Sequence, residues 1–247
     1  MSSLTEIRAS HDRGDHDQVL RLTDAALAEH PGDDAAHEYR ARSLLALGRL
    51  DEAERHAQDA VRLDPEEVRY RELLATVLSA VGAHRDAADE YRRLARNDPR
   101  QATWTVSEAE ERIDAAEAGR GVEAARAAVK LEPSNGRAQL ALAHALARVG
   151  DARGALQAAI RATELLPGDP AAREALADAR WLADDDARAF GEFQALSATL
   201  AGPDRTRVTR KARTLYRQHA GWVGRMVAGI GPVFELALAR GWLSIGR

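Results

Sequence analysis

Short amphipathic runs alternate along most of this chain, and a pair of them recurs every 34 residues. In the segment 34–67, Ala41 and Leu44 fall on one face at three-residue spacing, and Ala53, Ala60, Val61 and Leu63 continue the pattern after a break. That spacing predicts a first helix over 35–47, closed by Gly48, and a second, capped by Asp51, running to 63. Asp64-Pro65 stops the second helix, because a proline in a helix interior costs about 3 kcal/mol. The small residues Ala41, Ala53 and Ala60 mark where two helix backbones approach. The next segment repeats the design with Leu74, Ala75, Leu78, Gly82, Ala87, Tyr91 and Pro99. The fifth repeats it with Leu142, Ala143, Leu146, Gly150, Ala155, Ala162 and Pro167.

Punctuation keeps the same time. Pro31, Pro65, Pro99, Pro133 and Pro167 stand 34 residues apart, and Gly14, Gly48, Gly82 and Gly150 share one phase. The fourth unit has Ala116 in the glycine slot and glycines later, at Gly119 and Gly121, which predicts a first helix longer by about one turn and a shortened second helix. At the ends the pattern degrades, as it does in capping units. In the first unit Glu6, Ile7 and Ser10 spoil the packing face, and in the sixth Asp184-Asp185-Asp186 replaces the glycine turn. The sixth proline arrives two residues late, at Pro203 rather than at position 201.

This pattern resembles the tetratricopeptide repeat family over residues 1–200, although His37, Arg71, Thr105, Gln139 and Arg173 stand where the family carries an early tryptophan. The resemblance implies an all-α, right-handed α-solenoid of about six helix pairs plus two C-terminal helices. The expected division is a degenerate unit at 1–33, internal units at 34–67, 68–101, 102–135 and 136–169, a degenerate unit at 170–203, and an extension at 204–247. It also implies that the first helices line a concave wall that binds a protein or peptide. The candidate wall residues are Glu38, Arg42, Arg69, Glu72, Thr76, Glu110, Arg137, His144, Arg148, Asp178 and Trp181, with Val106, Leu140 and Glu174 in the same row. One branch of the family grips C-terminal carboxylates with a lysine–asparagine clamp. Asn97 and Asn135 lie beside the inter-repeat prolines and no lysine occupies the matching slots, so that mode is disfavoured.

Charge divides the chain. The formal net charge is −4, made of about −11 over residues 1–203 and +7 over 204–247. In the extension, Val208, Ala212, Leu215, Tyr216, Trp222 and Met226 form an apolar stripe opposite Arg205, Arg207, Arg210, Lys211, Arg213 and Arg217. A second, nearly uncharged helix is expected over 233–244 and includes Trp242. Three readings compete: a cap on the last repeat, an arginine-rich face with Trp222 and Trp242 on an anionic membrane surface, or a nucleic-acid face. The last is disfavoured by the acidic body and by the absence of a recognised motif.

Catalysis finds no foothold. There is no cysteine, no His-Glu-x-x-His, no phosphate loop and no nucleophile elbow. His11, Asp15 and His16 surround the Gly14 turn and read as turn chemistry rather than a metal site. No cofactor is implied, and the opening residues lack a secretion signal's apolar core, so the cytoplasm is the expected location, with the inner membrane face as the alternative.

Overall fold

The computed structural model describes residues 2–226, with side chains over 4–218; the expected helix at 233–244 and Trp242 lie outside the described residues. Within them the chain is all-α, thirteen helices in order. The first is α1 (Ser2–Asp12), paired with α2 (His16–Glu29), followed by α3 (Asp34–Ala46) with α4 (Leu50–Leu63) and α5 (Val68–Val81) with α6 (His84–Asn97). Then come α7 (Ala102–Asp114) with α8 (Ala118–Leu131), α9 (Gly136–Arg148) with α10 (Ala152–Leu165), α11 (Pro170–Leu182) with α12 (Asp186–Thr199), and α13 (Gly202–Met226). The helices gather into two compact units, Met1–Pro133 and the segment from Ser134 onward.

Four of the first helices, α3, α5, α9 and α11, start on the 34-residue clock where a polar side chain caps them, whereas Gln101 makes no cap bond at α7. Asp33 accepts from the backbone N–H of Ala36 at 2.9 Å, and Asn135 from that of Ala138 at 3.1 Å. Asp51 is not a cap. The flanking position is Arg49, which makes no side-chain cap bond, and the helix begins at Leu50. Each turn between paired helices needs one residue in the left-handed region, which glycine adopts without a Cβ penalty. Gly48 (φ 71°) and Gly82 (φ 87°) supply it, while Ala116 (φ 60°) and Asp184 (φ 58°) take the same conformation in their units.

That observation corrects the expectation for the fourth unit. Its helices have the ordinary lengths, 13 and 14 residues, because Ala116 accepts the strained conformation instead of letting the helix run on. Gly121 belongs to α8 and stands in the slot of Ala53, Ala87 and Ala155. A Cβ there would come within 3.1 Å of Ile113, so the glycine lets α8 lie close to α7.

In the first unit, α1 to α3 enclose Ile7, Val19, Ala26 and Ala36, so Ile7 belongs to the core and Ser10 is fully buried beside it, contrary to the expectation that they spoil the face. Leu20, Leu44, Leu73, Leu74, Val77 and Leu78 then pack with Ala41, Ala53, Ala57 and Ala87. In the second unit, Phe193 and Leu196 of α12 meet Ala177 of α11 and Val208, Ala212 and Leu215 of α13. With the two-residue slip that delays Pro203, those three α13 residues occupy the slots of buried Ala172, Leu176 and Ala179. Pro203 therefore lies near the start of α13 rather than at the end of α12.

Candidate functional site

The first helices of the first unit create a concavity. His11 of α1, Arg42, Leu45 and Ala46 of α3, and Glu72, Leu73 and Thr76 of α5 line a cavity of about 460 Å³. Three of these, Arg42, Glu72 and Thr76, stood among the sequence candidates; the contributions of His11, Leu45, Ala46 and Leu73 follow from packing. His11 is pressed edge-on against Tyr39, with ring centroids 5.4 Å apart. Burial and the nearby Arg42 lower its pKa, so it is neutral near pH 7.

The candidates differ in state. Glu38 is buried with only 4% of its side chain exposed, and holds two arginines. Arg42 donates to it through Nε at 3.0 Å and lies 2.9 Å away through Nη2, while Arg69 Nη1 stands 3.7 Å from its other oxygen. Arg69 also reaches back to Glu67 at 3.1 Å, which holds the Glu67 carboxyl below its usual range. Glu72 is exposed and no ion pair holds its carboxylate among the described residues; the Thr76 hydroxyl donates to its backbone carbonyl at 2.9 Å. Val106 is buried and Glu110 half-buried on α7.

In the second unit the corresponding wall is occupied by the chain itself. Glu174 accepts from Arg207 at 2.7 Å and from Lys211 at 2.8 Å, and Lys211 also donates to Asp178 at 2.6 Å. The ammonium lies 5.9 Å from the Phe193 ring centre. Desolvation raises the pKa of Asp178 while Lys211 opposes the shift. His144 opens to solvent from crowded surroundings that lower its pKa, with Asp178 acting against them. Trp181 is half-buried, edge-on to Phe193 at 6.2 Å, and Arg137 and Arg148 are exposed.

The same helix settles where its apolar stripe goes. Val208, Ala212 and Leu215 are buried by α12, and Tyr216 lies beside Phe190, so through residue 218 this stripe faces protein. Arg205, Arg210, Arg213 and Arg217 are exposed. Trp222 falls within α13, but its side chain is outside the described ones. No helix among the described residues is long and apolar enough to cross a membrane.

One cluster escaped the sequence reading. His37, His56 and Asp59 bring three ligand-type atoms within 4.8 Å of one another. Their hydrogen bonds argue against a metal. Arg40 Nε, always a donor, lies 3.0 Å from His56 Nε2, which must accept. His56 therefore carries its proton on Nδ1 and donates to His37 Nδ1 at 2.9 Å, and His37 Nε2–H donates to the Pro31 carbonyl at 3.1 Å. The nitrogens a cation would need are engaged, and Arg40 repels one. Burial first, then Arg40, pushes the pKa of His56 down to about 4.

One period later the same places hold Arg71 and Glu90. Arg71 donates to Glu90 at 2.7 Å and to the Pro65 carbonyl at 2.8 Å. Both sets tie the start of a first helix to the preceding proline and to its partner helix, one with neutral rings and one with an ion pair.

Comparison with known proteins agrees with this geometry. Residues 10–77 match the family described as tetratricopeptide repeat. An inactive TPR repeat-containing thioredoxin, TTL3 of Arabidopsis thaliana, is 37% identical over 75 residues, which is 30% of this chain and 11% of that protein. The chain thus spans about a tenth of the length of that curated relative. Among solved structures, a tetratricopeptide repeat protein from Parabacteroides merdae superposes with TM-score 0.75 at 16% identity over 96% of each chain. YrrB, described as a TPR protein with an unusual peptide-binding site, superposes with TM-score 0.63 at 14% identity, over 70% of this chain and 89% of its own. Residues 10–77 thus match the tetratricopeptide repeat family in sequence, and the chain has the fold of tetratricopeptide repeat proteins.

Proposed function

We propose that this protein is a non-catalytic interaction scaffold that binds a peptide or protein segment along the inner wall of its first unit. The observation that carries the reading is the cavity of about 460 Å³ lined by α1, α3 and α5 alone, which combines an apolar floor at Leu45, Ala46 and Leu73 with polar groups at Arg42, Glu72 and Thr76. The corresponding carboxylates of the second unit are engaged by Arg207 and Lys211, so the first unit offers the wall with room for a guest. YrrB's description as peptide-binding makes the same use reasonable here.

Site-specific photocrosslinking tests this. A benzoylphenylalanine at Thr76 should trap a partner in cells of the source organism, whereas the same probe at Asp86, on the second helix α6, should not. Crosslinks from position 86 with none from 76 would move the binding surface off this wall.

A further inference from the structure

The peptide-groove reading leaves the character of the guest open, and one repeat position narrows it. Glu38, Glu72 and Glu174 occupy the same place in their units, separated by whole multiples of the 34-residue period. Two of the three are buried and each holds two cations. Glu38 has Arg42 and Arg69; Glu174 has Arg207 and Lys211. Glu72 is exposed, lines the cavity, and has none among the described residues.

The difference can be read in the surrounding slots. The place of Arg42 is taken by Thr76 in the next unit, and the place of Arg69 by Thr103. With the two-residue slip before α13, Arg207 falls in that same slot and Lys211 in the slot of Ser107. Every position that supplies a cation to Glu38 or Glu174 carries an uncharged hydroxyl residue around Glu72. The cations already present do not compensate. Arg42 is bound to Glu38, and Arg69 to Glu38 and Glu67, so neither balances Glu72.

We infer that the first-unit wall recognises a basic peptide segment, in which an arginine or lysine of the partner pairs with Glu72 while an adjacent apolar side chain packs on Leu45, Ala46 and Leu73. The chain itself shows that carboxylates at this repeat position take guanidinium and ammonium groups, as Glu174 takes those of Arg207 and Lys211. This preference is opposite in sign to a clamp for C-terminal carboxylates.

The inference rests on the peptide-groove reading, and the test separates the two. Fluorescein-labelled decapeptides alternating leucine with arginine, with glutamine or with glutamate are titrated against the full chain, with binding read by fluorescence anisotropy. The arginine peptide should bind about threefold to tenfold more tightly than the glutamine peptide, with the glutamate peptide weakest, and added salt should shrink the differences. Glu72→Gln should remove the arginine preference and leave the glutamine peptide unchanged. Glu66→Gln, an exposed carboxylate outside the cavity lining, should leave the preference intact. Equal binding of arginine and glutamate peptides, or a preference that survives Glu72→Gln, overturns the charge assignment alone. Binding by none of the three peptides removes the groove reading and this inference with it. Unchanged circular dichroism of both variants guards against misfolding.

Discussion

Arg112 is the sharpest test of how this array is held together. One period to either side, Leu74 with Leu78 and Leu142 with Leu146 form leucine pairs on the first helix; in the fourth unit the same two slots hold Glu108 and Arg112. Arg112 is fully buried, at 0% exposure. It donates to Glu117 at 2.7 Å, forms a short contact with Asp89, and lies 3.7 Å from Glu108, while its Nε finds no acceptor. Burial pushes the Glu108 carboxyl up and Arg112 pulls it back.

Arg112→Leu removes two hydrogen bonds between charged groups, each contributing about 1.5–3 kcal/mol. Burying the leucine returns about 2 kcal/mol, so the net loss should be about 1–4 kcal/mol. Glu117 keeps Arg85 at 2.9 Å, which favours the lower part of that range. Glu108→Leu together with Arg112→Leu restores the leucine pair of the neighbouring units. It should recover at least ~1 kcal/mol of the single variant's loss, because well-packed apolar side chains often replace buried ion pairs without penalty.

Because neighbouring repeats can unfold separately, urea titration should follow both far-ultraviolet circular dichroism and Trp104 fluorescence. Trp104 lies buried on α7, and the chain's other three tryptophans would be changed to phenylalanine. The reasoning is refuted if Arg112→Leu leaves the Trp104 transition unmoved, or if the double variant is less stable than the single one.

Three further outcomes are expected. Ala116→Gly should stabilise the chain by about 1 kcal/mol and Gly82→Ala should destabilise it by a similar amount, since both positions have positive φ and nothing lies within 4 Å of a Cβ at Gly82; paired urea midpoints check both signs. His56 titrates near 4 in the fold and near 6.5 when free, so the unfolded chain takes up a proton first and stability should fall by about 1–3 kcal/mol as pH drops from 6.5 to 4. Replacing His37 and His56 by Arg and Glu, as at Arg71 and Glu90, should flatten that dependence, and unfolding curves at pH 7 and 4.5 would show it. Gly136→Ala places a Cβ 2.4 Å from Leu166 Cγ and should cost about 1–3 kcal/mol by thermal melt, with Leu166→Ala in the same chain relieving part of the loss.

Helix pairing was legible because proline restricts the backbone and glycine readily takes the left-handed turn conformation wherever they stand, independently of partners. The strain at Ala116 was not legible, because the chain could either lengthen a helix or bend at a non-glycine residue, and packing chose the second. The candidate wall was half legible. Periodicity put Glu38 and Glu72 on one face, but the positions of Arg42 and Arg69, whose slots around Glu72 hold Thr76 and Thr103, decide that one is buried between cations and the other is open. The His37–His56 contact carried a signal that comparison between units could have found: at the same two positions Arg71 and Glu90 are complementary in charge, which marks them as neighbours in space.

α13 has a consequence for how such a protein can be lengthened. Its buried residues occupy first-helix slots, and Glu174, one of the two carboxylates it neutralises, stands at a position that is also glutamate at 38 and 72. It packs as half a unit, and should dock in the same way on another repeat that precedes it, provided that repeat presents an acidic residue at the Glu174 place. Inserting copies of a repeat with that glutamate ahead of residue 202 should give longer chains in which Val208, Ala212 and Leu215 stay buried.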